Sequence, residues 1–321
     1  MSGIMDKNIV VTGSLAFDFI MDFPGVFADH IDPSKLHVLN ISFLVDSLKK
    51  ERGGNSANIA YTLSLLGMKT AILSNAGDDF SGYAKFLTEN RINIDNINII
   101  SGESTATAII MTDRSDNQIS AFYPGAMKAN PDLSLGNLKI PADFVVITPD
   151  VPEAMTKFAT ECQQMQLPYL FDPGMQLPRL SDAQLRLGIK GAQILIGNDY
   201  EMGIIKKRLF LTELDLLNEV KVLITTLGEK GSIIQTKNQE YTVAALKPDQ
   251  ALDPTGAGDG YRAGFLTGYL NELDLKTCGQ MGSVAACYAI EKYGTSNHKF
   301  SRDDFRKRYG DNFIEELDDK I

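Results

Sequence analysis

Short apolar runs alternate with longer helical segments through the second half of the chain, and this alternation constrains the fold more than any other feature. Four such runs follow Pro141, and the predicted strands are Phe144–Thr148, Tyr169–Phe171, Gln193–Ile196 and Val222–Thr225. Helical segments follow the first three runs, and a glycine turn follows the fourth. Strands that alternate with helices form βαβ units. We therefore predict an α/β fold with a mostly parallel central sheet, flanking helices, and ligands at the carboxyl ends of the strands.

Further regular elements extend this pattern toward both ends of the chain. The run Asn8–Thr12 predicts a buried strand. Apolar residues at Ile59, Leu63 and Leu66 are spaced by four and by three, which predicts an amphipathic helix over Asn55–Leu66. The other predicted elements are a strand at Thr70–Leu73 and helices at Asp79–Asn90, Ala257–Leu270 and about Lys276–Lys292.

Two segments lack the helical period and interrupt the pattern. Residues 19–50 mix short apolar pieces with prolines and a glycine, and residues 105–123 contain two strand-like runs joined by a polar turn at Arg114–Asn117. We predict that both segments build a small β lid outside the main body. The predicted division is a core at 1–18, 51–104 and 124–321, with a discontinuous lid at 19–50 and 105–123.

The net charge restricts the partners of the chain. Its 321 residues carry a formal net charge of −10, whereas nucleic-acid binders present basic surfaces and cytoplasmic membrane leaflets are anionic. We therefore expect neither a nucleic acid nor a membrane as partner. A nucleotide ligand remains compatible with this charge, but its phosphates need a local device such as a helix N-terminus, a metal ion or one or two cations.

The cysteine count points to a reducing compartment. There are three cysteines and no C-x-x-C pair, which argues against a disulfide framework or a zinc site. The residues before the first strand contain no apolar signal-like run, and no stretch approaches the ~18 apolar residues of a membrane span. We therefore expect a cytoplasmic protein.

The strongest chemical signal is the segment DPTGAGDG, residues 253–260, which directly precedes a predicted helix. Its glycines let the backbone approach a ligand closely, and the free N–H groups at a helix N-terminus attract an anion. A carboxylate in the first turn, Asp259, is then placed to accept the proton of an attacking hydroxyl. The alternative is a tight strand-to-helix turn in which Asp259 only complements the helix dipole. Neither a Walker A motif nor a dinucleotide fingerprint is present.

This segment resembles the C-terminal signature of the ribokinase-like (PfkB) carbohydrate kinases. The N-terminal signature of that family has its counterpart in GGNSAN, residues 53–58, and the resemblance covers essentially the whole chain. It implies a ribokinase-like fold and ATP-dependent phosphorylation of an alcohol group.

The resemblance also implies roles for individual residues around the transferred phosphate. It makes Asp259 the catalytic base. The implied anion-hole amides belong to Gly256, Ala257 and Gly258. The implied sugar contacts come from Asp18, Gly54, Asn55 and Asn58.

Other matches to the family concern the nucleotide and its cations. The implied nucleotide-binding residues are Asn198, Thr226, Gly228 and Gly231. Glu201 completes the family's N-x-x-E pattern and is implied to organise Mg²⁺ through water. The implied holders of a monovalent cation such as K⁺ are Asp253, Thr255 and Gly294.

Each of these residues also has a simpler interpretation. Asp18 would be an exposed turn residue, and Asn198 with Glu201 would form a helix-capping pair. The segment Thr226–Gly231 would be an ordinary hairpin turn. Arg262 would be a solvated residue of the helix face, although its position three residues after Asp259 also suits a phosphate contact.

The aromatic residues of the lid bear on the identity of the substrate. They are Phe19, Phe23, Phe27, Phe43, Phe122 and Tyr123. Aromatic faces can stack on a purine base, whereas the alternative is that they form the lid's own core or a dimer contact. The segments SLAFDFIMDFPGVFADHI and AFYPGAM look most like bacterial adenosine kinases of the family.

We therefore predict phosphorylation of the 5′-hydroxyl of adenosine or a related nucleoside, in purine salvage. A ribokinase or another monosaccharide kinase is the alternative within the same class. A catalytically silent nucleoside or sugar sensor is the alternative from a different class. A homodimer through the lid is a further expectation.

Overall fold

The computed structural model describes residues 7–31, 37–38, 40–115, 117–313 and 317. Its strands are β1 (Asn8–Thr12), β2 (Ala16–Asp22), β3 (Ser47–Gly53), β4 (Lys69–Ala76), β5 (Ile97–Ile99), β6 (Ala106–Thr112), β7 (Gln118–Tyr123), β8 (Phe144–Ile147), β9 (Tyr169–Phe171), β10 (Ile194–Asn198), β11 (Val222–Thr226), β12 (Ser232–Gln235) and β13 (Glu240–Val243). Its helices are α1 (Asn55–Leu65), α2 (Ser81–Glu89), α3 (Pro152–Met165), α4 (Asp182–Ile189), α5 (Asp199–Leu209), α6 (Glu213–Glu219), α7 (Ala257–Leu270), α8 (Leu275–Ile290) and α9 (Arg302–Asn312).

A large sheet forms the body of the protein. In the described part of the chain it has nine strands in the order β13-β12-β11-β10-β9-β8-β1-β4-β5. The strands from β11 to β5 are parallel, and β12 and β13 continue the edge beyond β11 in antiparallel pairing. The predicted α/β fold with a mostly parallel sheet is therefore confirmed.

Side chains of alternate strand residues supply two separate cores. Ile9 and Val11 of β1 pack in a cluster that includes buried residues of α1 and α7, whereas Val10 packs in a second cluster with α3. Successive side chains of a strand point to opposite faces, so β1 must be apolar throughout to be buried on both sides. This requirement explains the continuous apolar run from which the strand was predicted.

A second, four-stranded sheet has the order β3-β2-β6-β7. It begins at Ala16 rather than Phe19, and β3 runs to Gly53 rather than ending at Lys50, so Asp18 lies inside this small sheet. The predicted hairpin is present as β6 and β7. Residues 32–36, 39 and 116 of the predicted lid, and residues 1–6 of the predicted core, lie outside the described residues.

Glycines allow α7 and α8 to pack at close range. A Cβ on Gly264 would lie 2.4 Å from the carbonyl oxygen of Met281, and one on Gly260 would lie 3.0 Å from that of Ala285. The first distance leaves no room for a side chain and the second leaves almost none, so the two helices are in backbone contact. This contact fixes α7, and with it the first turn that carries Asp259.

Helices long and apolar enough to cross a membrane are absent from the part of the chain that the structure describes. Cys162, Cys278 and Cys287 are buried and are not joined in disulfides.

Candidate active site

Asp259 lies at the third position of α7, held by two amide groups from another helix. Its Oδ1 accepts a hydrogen bond from Asn55 Nδ2 at 3.0 Å, and its Oδ2 accepts one from Asn58 Nδ2 at 2.9 Å. The side chain is 5% exposed, while the neighbouring Gly258 is exposed. Both carboxylate oxygens are therefore oriented, and the carboxylate borders an accessible turn.

The glycine turn before α7 presents part of the predicted anion hole. Gly256 is the N-cap with φ of 85°, a left-handed conformation that favours glycine. The amides of Gly258 and Asp259 belong to the first helical turn, whose N–H groups have no acceptors within the helix. Ala257 differs, because its N–H donates to the carbonyl of Pro254 at 3.2 Å. That amide reaches an anion only by sharing or leaving this contact.

Burial and neighbouring groups act on Asp259 in opposite directions. Burial is the largest influence and raises the pKa of the carboxyl group, while the Arg262 guanidinium and the amides of Asn55 and Asn58 lower it. A raised pKa makes a carboxylate a stronger proton acceptor, provided that neighbouring positive charge and donors keep it ionised. The surroundings of Asp259 supply both conditions.

Asp18 lies beside Asp259 in the middle of β2, not in an exposed turn. A Cβ on Gly53 would fall 2.2 Å from Asp18 Oδ2, so glycine at 53 is what leaves room for this carboxylate. Burial, followed by the nearby charges of Asp259, Asp253 and Glu51, raises the pKa of Asp18 from 3.8 to about 6. The carboxyl groups of Asp18 and Asp259 therefore lie close enough for the charge of one to act on the other.

Gly54 joins the small sheet to α1 in a backbone conformation that favours glycine. Its φ is 96°, and a Cβ there would lie 2.4 Å from the carbonyl oxygen of Ser14. The next amide, that of Asn55, donates to Ser14 Oγ at 3.2 Å. This junction sets where α1 begins and therefore where Asn55 and Asn58 point.

Asn58 is also fixed from its other side. Its Oδ1 lies 2.7 Å from the hydroxyl of Thr295, which is itself 3.0 Å from the backbone oxygen of Arg52 in β3. A hydroxyl donates one proton, so it serves one of these acceptors at a time. The loop that carries Thr295 thus connects the small sheet to the amide that holds Asp259.

The predicted nucleotide residues lie along the carboxyl edge of the large sheet. Asn198 and Thr226 end β10 and β11 and are register partners. Gly228 and Gly231 bound the turn of the hairpin between β11 and β12, so this segment is indeed a hairpin turn. Ligands of open parallel sheets bind at this edge.

Asn198 and Glu201 form the capping box that was their simpler interpretation. Asn198 Oδ1 accepts from the Glu201 amide, and Glu201 Oε2 accepts from the Asn198 amide, both at 2.8 Å. Glu201 is half-buried, and burial raises its pKa. Capping and ligand binding do not exclude each other, because a carboxylate has further lone pairs.

Asp253 joins two loops behind the glycine turn. Its Oδ1 accepts from the Thr255 amide and its Oδ2 from the Gly294 amide, each at 2.9 Å. Both carboxylate oxygens are therefore engaged by backbone. Any cation held here would take carbonyl oxygens as its main ligands.

Asp172 was not considered for the site from the sequence, and Arg262 was left open between a solvated residue of the helix face and a phosphate contact. Arg262 is buried rather than solvated, and its Nε lies 2.6 Å from Asp172 Oδ2. Asp172 directly follows β9 at the same edge as Asn198 and Thr226, which is the signal that sequence reasoning could have used.

Taken together, a carboxylate at a helix N-terminus beside a glycine turn, at the carboxyl edge of a parallel sheet, defines a small-molecule phosphotransferase. The comparison with known families agrees, because the model of the pfkB family carbohydrate kinases matches residues 6–301. The chain belongs to this family and is an ATP-dependent kinase.

Several relatives cover nearly the whole chain. A nucleoside kinase of Methanocaldococcus jannaschii is 35% identical over 296 residues, which is 92% of this chain and 93% of that protein. The structure of Burkholderia thailandensis nucleoside kinase in complex with inosine has a TM-score of 0.87 at 31% identity and covers 96% of this chain and 99% of that one. The same enzyme with ADP-inosine has a TM-score of 0.85 at 32% identity, with coverages of 96% and 97%.

Proposed function

We propose that this protein transfers the γ-phosphate of ATP to the 5′-hydroxyl of a nucleoside. The observation that carries the proposal is the placement of Asp259, whose two carboxylate oxygens are held by Asn55 and Asn58 beside the exposed Gly258. The relatives support the choice of substrate, because they are named nucleoside kinases and one of them has been solved with inosine.

The reaction needs a single proton transfer. The 5′-oxygen forms a bond to the γ-phosphorus, the bond from that phosphorus to the β,γ-bridging oxygen breaks, and ADP leaves. The hydroxyl proton passes to Asp259. The first-turn amides of α7 then stabilise charge on the equatorial oxygens of the transferring group.

The small sheet supplies a surface that suits a nucleoside better than a bare sugar. Asp18 pairs across the sheet with Ala108, and Ala108 pairs with Phe122. Directly paired residues project from the same face, so Phe122 stands roughly 10 Å from Asp18, two strand spacings away. With the ribose hydroxyls on Asp18, the base extends over Ala108 toward the Phe122 ring, which is 37% exposed.

The other lid aromatics serve different purposes. Phe23, Phe27 and Phe43 pack against one another with ring centroids 4.7–5.5 Å apart, which is the lid's own core. Tyr123 follows Phe122 on β7 and therefore points to the opposite face. Phe19 packs against the core of the large sheet. These arrangements favour Phe122 as the residue that stacks on a base.

Replacing Phe122 with alanine is expected to raise the KM for the nucleoside by about 10–100-fold, since a base–aromatic stack contributes roughly 1–3 kcal/mol. The KM for ATP should not change. Tyr123→Ala is the matched control, because it removes a neighbouring ring from the opposite face. Steady-state kinetics for both variants, with the nucleoside varied at saturating ATP, provide the measurement. Equal effects of the two substitutions would contradict the assignment.

The function itself is tested by a substrate panel. Purified protein is incubated with ATP, Mg²⁺ and one acceptor at a time: adenosine, inosine, other nucleosides, ribose and fructose. Release of ADP is followed in a coupled assay, and the phosphorylated position is identified by NMR. The proposal expects the highest kcat/KM with a nucleoside and phosphate on its 5′-oxygen. A higher value with ribose would make the protein a monosaccharide kinase, and binding of nucleosides without any ADP would make it a sensor.

Mg²⁺ is part of the proposal. Asp172 Oδ1 is buried without a hydrogen-bond partner in the described part of the chain, so a hydrated cation would satisfy it. Across the described ranges there is no group of three or more acidic, histidine or cysteine side chains that would hold a metal directly. Glu201 would therefore hold Mg²⁺ through water, and the ion would neutralise charge on the phosphates.

The substitution Glu201→Gln tests whether Glu201 binds Mg²⁺ in addition to capping α5. Gln184 already serves as the third residue of a capping box in α4, so Glu201→Gln should keep the free energy of unfolding within about 0.5 kcal/mol. The Mg²⁺ concentration for half-maximal activity should rise, because the anionic partner of the hydrated ion is lost. Chemical denaturation and Mg²⁺ titration of the rate provide the two measurements. An unchanged Mg²⁺ requirement would leave Glu201 with the capping role alone.

A monovalent cation such as K⁺ behind the glycine turn is also part of the proposal. The two loops that would enclose it are tied together by Asp253, through its bonds to Thr255 and Gly294. The loop after Gly294 packs directly against the glycine turn, because a Cβ on Gly256 would lie 3.2 Å from Thr295 Cα. Comparison of the rate in KCl and in tetramethylammonium chloride tests for this ion.

Three broader expectations complete the proposal. All six residues of the edge strand β7 are exposed, which suits a homodimer through the lid, and sedimentation velocity would detect it.

A cytoplasmic location is expected from the unpaired cysteines and the use of ATP, and cell fractionation tests it. With adenosine or inosine as acceptor the product is a purine nucleoside 5′-monophosphate, which places the enzyme in purine salvage, a role that growth on exogenous purine nucleosides would test.

A further inference from the structure

Arg262 occupies a buried position among three carboxylates. Its side chain is 12% exposed and forms an ion pair with Asp172, whose side chain is 1% exposed. Burial lowers the pKa of the guanidinium, but the charges of Asp172, Asp259 and Glu201 raise it, and the net shift of the pKa is upward. A cation surrounded in this way remains charged, and the cluster still carries more negative than positive charge at the edge where ATP must bind.

The far end of the guanidinium lies against the glycine turn. A Cβ on Gly258 would fall 2.7 Å from Arg262 Nη1 and 3.8 Å from Cζ. The ion-pair contact with Asp172 is made by Nε, which lies 2.6 Å from Oδ2 but without hydrogen-bond geometry, whereas Nη1 is the atom nearest Gly258. Gly258 therefore leaves the space that Nη1 occupies, beside the first-turn amides of α7.

From this geometry we propose that Arg262 binds the γ-phosphoryl group of ATP, together with the Gly258 and Asp259 amides, and that Asp172 is the positioning residue that orients it. The proposal rests on the kinase function given above and adds a cation to a site otherwise built from backbone amides. A guanidinium suits this task, because its fixed fork of donors matches the oxygens of a phosphate. It also supplies charge that is oriented before the reaction begins.

A structural ion pair is the competing explanation. A buried pair holds α7 against the end of β9 whether or not a nucleotide is bound, and removal of one partner destabilises a protein because the other charge is left buried. The two explanations differ in one respect. A ligand of the γ-phosphate discriminates ATP from ADP, whereas a structural pair affects both nucleotides alike.

Binding of two nucleotides to the full-length protein tests the proposal. Dissociation constants for ADP and for a non-hydrolysable ATP analogue with an imido β,γ-bridge are measured by calorimetry with Mg²⁺ present. Arg262→Lys keeps the charge but loses the fork, and Arg262→Gln removes the charge while it leaves the Asp172 carboxylate in place for Mg²⁺. We expect both to weaken binding of the analogue by about 10–100-fold and that of ADP by less than about twofold.

Arg308→Lys is the matched control. Arg308 is similarly buried, with 15% exposure, and is paired with Glu291 rather than directed at the glycine turn. Its substitution should leave the ratio of the two dissociation constants unchanged. A parallel loss of both affinities in the Arg262 variants, or no loss in either, would overturn the proposal.

The experiments distinguish a failure of the proposed role of Arg262 from a failure of the proposed kinase function. If the wild-type protein phosphorylates a nucleoside while the Arg262 variants keep the wild-type ratio of affinities, the function stands and the role of Arg262 fails. If no acceptor is phosphorylated but the Arg262 variants selectively lose the ATP analogue, the arginine site stands and the assignment of the reaction fails.

Discussion

Replacing Asp259 with alanine should lower kcat by about 10²–10⁴-fold, the usual contribution of a positioned general base. The two donors from Asn55 and Asn58 hold the carboxylate in one orientation, and its own backbone lies in the turn that receives the phosphate. Without the carboxylate, the attacking hydroxyl must lose its proton to water. Binding of the nucleoside and of ATP should remain, because the glycine turn and Asp18 are unchanged.

Asp304→Ala provides the control for this substitution. Asp304 occupies the corresponding third position of α9, where it completes a capping box with Ser301. Its loss should cost roughly 0.3–1 kcal/mol of stability, the usual effect of an acidic side chain in the first turn of a helix, and leave kcat unchanged. Steady-state kinetics and isothermal calorimetry on both variants give the comparison. If Asp259→Ala retained the wild-type kcat, the residue would be only a helix-dipole partner.

Replacing Asp18 with asparagine is expected to have opposite effects on binding and on folding. We expect kcat/KM for the nucleoside to fall by about 10–100-fold, because a hydrogen bond to a charged group contributes roughly 1.5–3 kcal/mol and asparagine keeps only one of the two acceptors. The folded protein should become more stable at neutral pH. The reason is that the ionised Asp18 is buried close to Asp259, Asp253 and Glu51.

The pH dependence follows from the direction of the shift. Between its ordinary value of 3.8 and about 6, Asp18 is protonated in the folded chain and ionised in the unfolded chain. Above about pH 6 the group is ionised in both states, and the folded state carries the full cost, roughly 2–3 kcal/mol. The stability gained by Asp18→Asn should therefore be largest above pH 6 and vanish below about pH 4.

Urea denaturation at pH 4 and at pH 8 measures this gain in stability. In the wild type, kcat/KM should fall as the pH drops through about 6, because Asp18 then becomes protonated. Asp22→Asn is the control, since Asp22 ends the same strand on the same face and contacts Ser47. A destabilised Asp18→Asn variant at pH 8 would show that the carboxylate is not under electrostatic strain.

The parts of the fold with strong periodicity were predictable from the sequence. The limits of β1 and α7 agree with the prediction, because a run buried on two sides and a glycine turn before a helix both leave clear patterns. The short elements β5, α6, α9, β12 and β13 were missed. They are three to eleven residues long and mostly half-exposed or polar, so tertiary pairing rather than local pattern determines them.

The site was predictable at the level of motifs but not of contacts. The glycine motifs located Asp259 and Asn58, but nothing in the spacing shows that Thr295 holds Asn58 from the other side. The burial of Arg262 was missed for a similar reason. Its partner Asp172 follows a strand that is distant in sequence, and helix spacing alone does not distinguish a buried arginine from a solvated one.

A single residue, Gly54, separates the end of β3 from the start of α1. Because this linker is so short, a displacement of the small sheet should be accompanied by a displacement of Asn55 and Asn58, whose amides orient Asp259. Binding of an acceptor at Asp18 should therefore also affect the hydrogen bonds that Asn55 and Asn58 already donate to Asp259, through the two glycines at 53 and 54.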